Sequence, residues 1–341
     1  MARSAATGGA DKKPGFRTIL VPVDGSTLAE QALPLAVSVA RACGAKIVTA
    51  HVHHHAFGDD GRSGLLSGDL DVKLREREIA YVEGVARTLA SHNVKTETAF
   101  LEPPVVQALL DEARLVRAEL IVMATHGYSG LAHAWLGSVT DEMVRRSPVP
   151  LVLVRPRTEN DTARVASELG KILVPLDGSR LAEQVLAPAS ILADAAGAEM
   201  VLLQVVEPAG SSPALAAVSG MEQSKMVAHL VDSQVADARS YLEKQAARLP
   251  LDPDRIRTEV LVAPQPAVAM LDFADRLGVS LIALSTHGRS GIADLLLGSM
   301  ADKVLRGASI PVMFLRPRVE PVSDAHIKDW TPGVKEPLKL H

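Results

Sequence analysis

The chain is written twice, and that repeat constrains its fold more than any other feature. Ile19-Leu-Val-Pro-Val-Asp-Gly-Ser26 recurs as Ile172-Leu-Val-Pro-Leu-Asp-Gly-Ser179, and Leu28-Ala-Glu-Gln31 recurs as Leu181-Ala-Glu-Gln184. Further on, Thr125-His126-Gly127-x9-Gly137-Ser138 is matched by Thr286-His287-Gly288-x9-Gly298-Ser299, and Arg155-Pro-Arg157 by Arg316-Pro-Arg318. Such a period is too long for a solenoid repeat and has the size of a whole domain, and 341 residues hold two of them. The organisation expected is a first module over 16–157, a polar linker over 158–168, a second module over 169–318 and a weakly structured tail over 319–341.

Within the first copy, apolar runs of strand length alternate with longer helical patterns. Strands are predicted at Arg17–Val23, Lys46–Val52, Lys95–Leu101, Glu119–Ala124 and Val149–Arg155. Helices are predicted over Thr27–Cys43, Asp71–His92, Pro104–Arg117 and Ser138–Arg146. Strands alternating with helices imply an α/β fold around an open, parallel, doubly wound sheet with right-handed crossovers. Pro34 and Pro188 fall inside the first helix of each copy, where an interior proline costs about 3 kcal/mol; a bend is expected there rather than a break. The stretches His53–Asp69 and Glu207–Gly220, rich in Gly, Ser and Pro, read as mobile loops over the carboxyl edge of the sheet.

Several classes of function are disfavoured. A net charge of −4, with no basic cluster interleaved with aromatics, argues against nucleic acid. No apolar run reaches transmembrane length, and Met1–Gly15 lacks the apolar core of a signal peptide, so no membrane partner and a cytoplasmic location are expected. The single cysteine, Cys43, leaves no internal disulfide and reads as a small core residue in a reducing compartment.

In an open parallel sheet, ligands sit beyond the carboxyl ends of the strands where strand order reverses. The first strand of each copy ends in Pro22-Val23-Asp24-Gly25 or Pro175-Leu176-Asp177-Gly178, the second in His51-Val52 or Gln204-Val205, and the fourth opens the glycine loop. An Asp at a strand end can accept hydrogen bonds from ribose hydroxyls or an exocyclic amine. Glycines followed by a helix N-terminus can present backbone donors to phosphates. The competing reading needs no ligand: Ser138 and Ser299 as N-caps, with Asp141 and Asp302 three residues on, form a capping box that satisfies the helix end by itself.

Together these motifs resemble the universal stress protein family in a tandem two-module form. The resemblance covers roughly Phe16–Arg157 and Lys171–Arg318. It implies a sheet of order 3-2-1-4-5 in each module, of the adenine-nucleotide alpha-hydrolase-like kind, and ATP or another adenine nucleotide as ligand, with Mg²⁺ as an accompanying ion. Carried onto this chain, it implies Pro22, Asp24 and Val52 around adenine and ribose. Met123, His126, Gly127, Gly137, Ser138, Val139 and Thr140 would then surround the phosphates. The second module offers Pro175, Asp177, Val205, Leu284, His287, Gly288, Arg289, Gly298 and Ser299. Two departures stand out. The first loop glycine of the nucleotide-binding branch is Ala124 here and Ser285 in the second copy, which would be strained if positive φ were required. Ala301 replaces Thr140, losing a hydroxyl.

Three rival readings are open to the same residues. His126 or His287 could act as a base in a slow ATP hydrolase, but no Gly-x4-Gly-Lys-Ser/Thr loop accompanies them, and little or no hydrolysis is expected. His51, His53 and His55, alternating near Asp59 and Asp60, suggest a metal; their counterparts are Gln204, Val206 and Pro208, so a solvated polar loop is preferred and no metal is assigned. The last strands, Val149–Arg155 and Ile310–Arg316, are apolar edge candidates. The resemblance implies that they pair the two modules within the chain and leave other surfaces for a homodimer, which also permits a nucleotide-independent assembly module.

Overall fold

A strand buried on both faces needs apolar side chains at consecutive positions, and β1 (Thr18–Pro22) and β6 (Lys171–Pro175) both carry Ile-Leu-Val in their middles. In the computed structural model, which describes residues 15–54, 67–125, 137–156, 168–208, 221–286 and 298–317, each becomes the central strand of a five-stranded half-sheet. The first half continues through α1 (Thr27–Glu30), α2 (Leu33–Cys43), β2 (Lys46–Val52), α3 (Ser67–Ser91), β3 (Thr96–Leu101), α4 (Val105–Leu115), β4 (Leu120–Ala124), α5 (Ser138–Arg146) and β5 (Leu151–Val154). The second half repeats this plan through α6 (Arg180–Glu183), α7 (Leu186–Ala196), β7 (Glu199–Val206), α8 (Met221–Ala246), β8 (Ile256–Val262), α9 (Pro266–Leu277), β9 (Leu281–Ser285), α10 (Ser299–Gly307) and β10 (Val312–Leu315).

All pairings within a half are parallel, in the order 3-2-1-4-5, with Pro22 beside Ala50 and Ile19 beside Leu120. The halves do not remain two sheets. β5 and β10 pair antiparallel, Leu153 opposite Val312, Val152 opposite Met313 and Leu151 opposite Phe314, so ten strands form one sheet.

Strand alternation then sorts the core into two layers that both run across the seam. Ile19, Val21, Val122 and Val152 point to the face covered by α2, α3, α7 and α8, with Leu35, Val82 and Leu242. Leu20, Ile121, Leu151 and Leu153 point to the face covered by α4, α5, α9 and α10, with Leu110, Met143 and Phe314. Each such large apolar side chain contributes roughly 1.5–3 kcal/mol by leaving water. Among the described residues, no helix is long and apolar enough to cross a membrane.

The prolines act differently from expectation. The first helix of each copy is split: residues 31–32 stay right-handed, but hydrogen bonding tightens to i−3 before α2 begins, with Pro34 in its first turn. Pro34 has no N–H to give the Glu30 carbonyl, so the ladder must lapse there. The second copy splits between Glu183 and Leu186 in the same way, with Pro188 at the third position of α7.

Candidate functional site

The carboxyl end of each central strand is shaped by its Asp-Gly-Ser. Gly25 sits at φ +86° and Gly178 at φ +83°, a left-handed backbone that a side chain would strain. This turn brings Ser26 back onto Asp24, whose Oδ1 accepts from the Ser26 amide at 3.0 Å and the Ser26 hydroxyl at 2.6 Å. Ser26 Oγ in turn accepts from Ala29 N and caps α1. In the second half Asp177 Oδ1 accepts from Ser179 N at 2.9 Å, and Ser179 caps α6. Both aspartates remain partly exposed at the sheet edge, next to the half-buried Pro22 and Pro175.

Where strand order reverses, between the central strand and β4 or β9, the crossover loops leave the sheet. Their bases are closed by the backbone: Gly137 N donates to the Thr125 carbonyl at 3.1 Å, and Gly298 N to that of Thr286 at 2.9 Å. A Cβ on Gly137 would stand 3.3 Å from that carbonyl oxygen, so the approach favours glycine. In the first half Thr140 Oγ1 adds a buried bond to the Thr125 carbonyl at 3.2 Å. Ala301 leaves the second half without it.

The expected capping box is not what forms. The N-caps are Gly137 and Gly298, with no side-chain cap bond, and Ser138 and Ser299 are exposed first-turn residues. Asp141 pairs with Arg145 and Asp302 with Arg306, i to i+4 along the helix, instead of folding back. Closure of the loop base sets the cap one residue early, because the cap must be the residue whose amide reaches Thr125 or Thr286. Among the described residues, no side-chain cap meets the first-turn amides of α5 and α10, which lie at the positive end of the helix dipole.

Ala124 and Ser285 are ordinary strand residues, in register with Val154 and Leu315; they are not among the described residues of positive φ, so the suspected strain is absent. Val52 and Met123 share one apolar layer, against which Val139 packs; Leu284 and Val205 occupy the same layer in the other half. His126, Gly127, His287, Gly288 and Arg289 lie outside the described residues, as do His55, Asp59 and Asp60.

The histidine stretch departs from the solvated loop expected of it. His51 and His53 are 2% and 1% exposed, on the β2 face that looks at α3. His51 Nδ1 donates to the Val23 carbonyl at 2.9 Å, which fixes the tautomer and leaves Nε2 bearing a lone pair. His53 Nδ1 lies 2.6 Å from Glu78 Oε2, and its Nε2 lies 3.0 Å from Asp71 Oδ1. Burial works against a charged His53 ring, but the bonds to Glu78 and Asp71 prevail and raise its pKa above the ordinary histidine value. Burial likewise pushes Glu78 up, yet the His53 bond outweighs it and holds the carboxyl below the usual range. Phe100 and Tyr81 flank His51, and the Tyr81 hydroxyl donates to Glu30 at 3.0 Å. Sequence reading missed Glu78 and Asp71. No sequence signal pointed to them: the alignment of the two long helices that places Glu78 opposite Ala238 rests on the bonds of Tyr81 to Glu30 and of Tyr241 to Glu183, which only the structure shows.

The model of the universal stress protein family matches residues 15–155 and again 168–316. A universal stress protein of Mycobacterium tuberculosis is 28% identical over 259 residues, 76% of this chain and 77% of its own length. One from Thermus aquaticus is 32% identical over 141 residues, 41% of this chain and 99% of its own. Among solved structures, a universal stress protein from Archaeoglobus fulgidus superposes with a TM-score of 0.64 at 19% identity, over 88% of this chain and 98% of that one, a likeness of fold.

Proposed function

The chain belongs to the universal stress protein family, and from that premise we propose that it is a cytoplasmic stress-response regulator. Its modules, 16–157 and 169–318, bind ATP or a related adenine nucleotide at the carboxyl edge of the sheet, with little or no hydrolysis. The observation that carries this reading is the pair of glycine-closed crossovers that start α5 and α10 without a side-chain cap. Each lies beside the Asp-Gly-Ser turn of the central strand, at the point of order reversal. A ligand rich in oxygen anions supplies the acceptors that such a helix end lacks.

The residues present fit such a ligand. In the first module the exposed Ser138, the amides of Val139 and Thr140, and the close backbone approach at Gly137 would hold phosphates, together with His126 and Gly127 as the family resemblance implies. Met123, Val52 and Pro22 would flank the base, and Asp24, anchored by Ser26, would receive ribose hydroxyls. Pro175, Asp177, Val205, Leu284, His287, Gly288, Arg289, Gly298 and Ser299 form the counterpart, where Ala301 lacks the hydroxyl that braces the loop base. The first module is therefore the stronger binder. ATP, with Mg²⁺ accompanying its phosphates, supplies the charge that these amides are oriented to meet.

The antiparallel bond between β5 and β10 supports the two modules acting as one body. It also occupies both last-strand edges, so a homodimer forms through another surface.

The test is calorimetric titration of nucleotide-stripped full-length protein with Mg-ATP, alongside Ser138→Glu and Ser299→Glu variants. A glutamate in the first turn favours the helix dipole and leaves the fold intact, while repelling a phosphate. At least a tenfold loss of affinity in Ser138→Glu is expected, with a smaller one in Ser299→Glu. Absence of heat at millimolar ATP, or unchanged affinity in both variants, refutes the nucleotide reading and leaves the assembly module.

A further inference from the structure

We propose that the first module carries a site for a divalent first-row transition ion, of which zinc is the type, formed by His51, His54 and Glu78 at the mouth between β2 and α3. One potential ligand atom from each of the three residues falls within 4.8 Å of the other two. His51 is the most firmly held of the three. Its ring is 2% exposed, its Nδ1–H is committed to the Val23 carbonyl, and among the described residues its Nε2 has no hydrogen-bond partner. That nitrogen faces Glu78 Oε1 at 3.5 Å, and with the ring proton on Nδ1 both atoms present lone pairs. Two ligands of one tetrahedral ion at about 2.0–2.1 Å stand about 3.3 Å apart, so the gap has the width that an ion would span.

The surroundings are those of a metal site. A ligating histidine ordinarily donates its other ring N–H to a carbonyl or carboxylate, which fixes ring and tautomer. His51 does so to Val23, and His54 Nδ1 lies 3.0 Å from the Val52 carbonyl, leaving its Nε2 as the lone-pair nitrogen. Glu78 is oriented from behind by His53 at 2.6 Å, and His53 by Asp71 at 3.0 Å. His51 and Glu78 are held in place, whereas His54 is exposed and can swing in to complete the set. Two imidazoles and one carboxylate, with a fourth position left for water, suit zinc, and equally cobalt as a probe.

The fold does not require this cluster. In the second module, built on the same topology, the positions of the ligands His51, His54 and Glu78 hold Gln204, Glu207 and Ala238. Neither imidazole and not the carboxylate of Glu78 is kept by the equivalent module, so this set of donors is an addition to the scaffold. Because His51 also holds the carbonyl of Val23, the ion would sit next to the turn that carries Asp24, on the opposite face of the sheet from Val52.

The experiment uses full-length protein stripped with chelator. Cobalt(II) is titrated with absorption monitored between about 500 and 650 nm, and zinc is then added in competition. One cobalt per chain with an intense tetrahedral spectrum, displaced by one zinc, is expected. His54→Ala, which alters only an exposed side chain, should weaken cobalt binding at least tenfold and abolish the tetrahedral bands, and Glu78→Gln should do the same. Circular dichroism of both variants establishes that they are folded, and His54→Ala serves alone if Glu78→Gln is not. A wild-type chain that gives only weak octahedral bands, or a folded His54→Ala that keeps the wild-type spectrum and affinity, overturns the site.

Discussion

Replacing Phe314 with alanine tests whether the two modules behave as one body. Phe314 lies in β10 opposite Leu151 of β5, and both side chains are 1% exposed in the layer shared by the two halves. Truncating a fully buried phenylalanine costs about 3–5 kcal/mol, combining lost transfer energy with the cavity left behind. At about 1.4 kcal/mol per factor of ten, protection against amide exchange in the unit that contains Phe314 should fall by roughly two to three and a half orders of magnitude. Hydrogen exchange with mass spectrometric readout reports this peptide by peptide. If the seam joins one cooperative unit, peptides covering β5, Leu151–Val154, lose protection together with those covering β9 and β10, even though the substitution lies in the other copy. Loss confined to residues 168–317, with β5 as protected as in the wild type, would refute the shared-sheet reasoning and leave two modules that merely touch.

Three further outcomes follow from single side chains. Burial, opposed by a bond from the Phe16 backbone and aided by Glu119, pushes the Cys43 thiol up to about 11; relative to an ordinary thiol its thiolate should be about a hundredfold scarcer, so iodoacetamide at pH 8 should label the native chain about a hundredfold more slowly than the unfolded one, and equal rates would contradict it. Burial also raises the Glu119 carboxyl, against the lowering effect of the Arg17 amide bonded at 2.6 Å. The folded state then binds the proton more readily than the unfolded one, so stability declines as pH rises from the ordinary carboxylate value through the raised one. Glu119→Gln keeps an acceptor for Arg17 and should be more stable than the wild type in urea at pH 7.5, with the advantage vanishing by pH 4; a less stable variant at pH 7.5 would show that the charge is needed. Thr140→Ala removes the buried bond to the Thr125 carbonyl and should cost about 0.5–1.5 kcal/mol, with faster exchange at the start of α5 and none at the start of α10; equal effects at both helices would show that the hydroxyl does not brace its own loop.

Much of the fold was legible because it rests on local periodicity. Runs such as Ile19-Leu20-Val21 and Leu120-Ile121-Val122 can be buried only in a strand covered on both sides, and the helices between them had amphipathic spacing, so element type and order followed from the chain alone. The elements that would carry the proposed nucleotide site were legible for the same reason, since Pro22, Val52 and Met123 stand at or near the ends of strands and Ser138 at the start of a helix. Its finer features were not. Ser138 has the composition of an N-cap, but the cap position depends on which amide reaches Thr125, a contact across the loop. Pro34 was visible, yet whether it bends or splits the helix depends on how the short α1 is held at the Asp24 turn.

The repeat, the α/β class, the order of elements and the glycines that the crossovers need were determined by the sequence itself, because each follows from the chemistry of neighbouring residues. The joining of two half-sheets into ten strands was decided by tertiary structure, since β5 and β10 offer each other unpaired backbone groups only once both modules exist. So was the meeting of His51 with Glu78. A crossover brings strand and helix face to face there, and burial turns a histidine-rich stretch that reads as a polar loop into a set of oriented ligands.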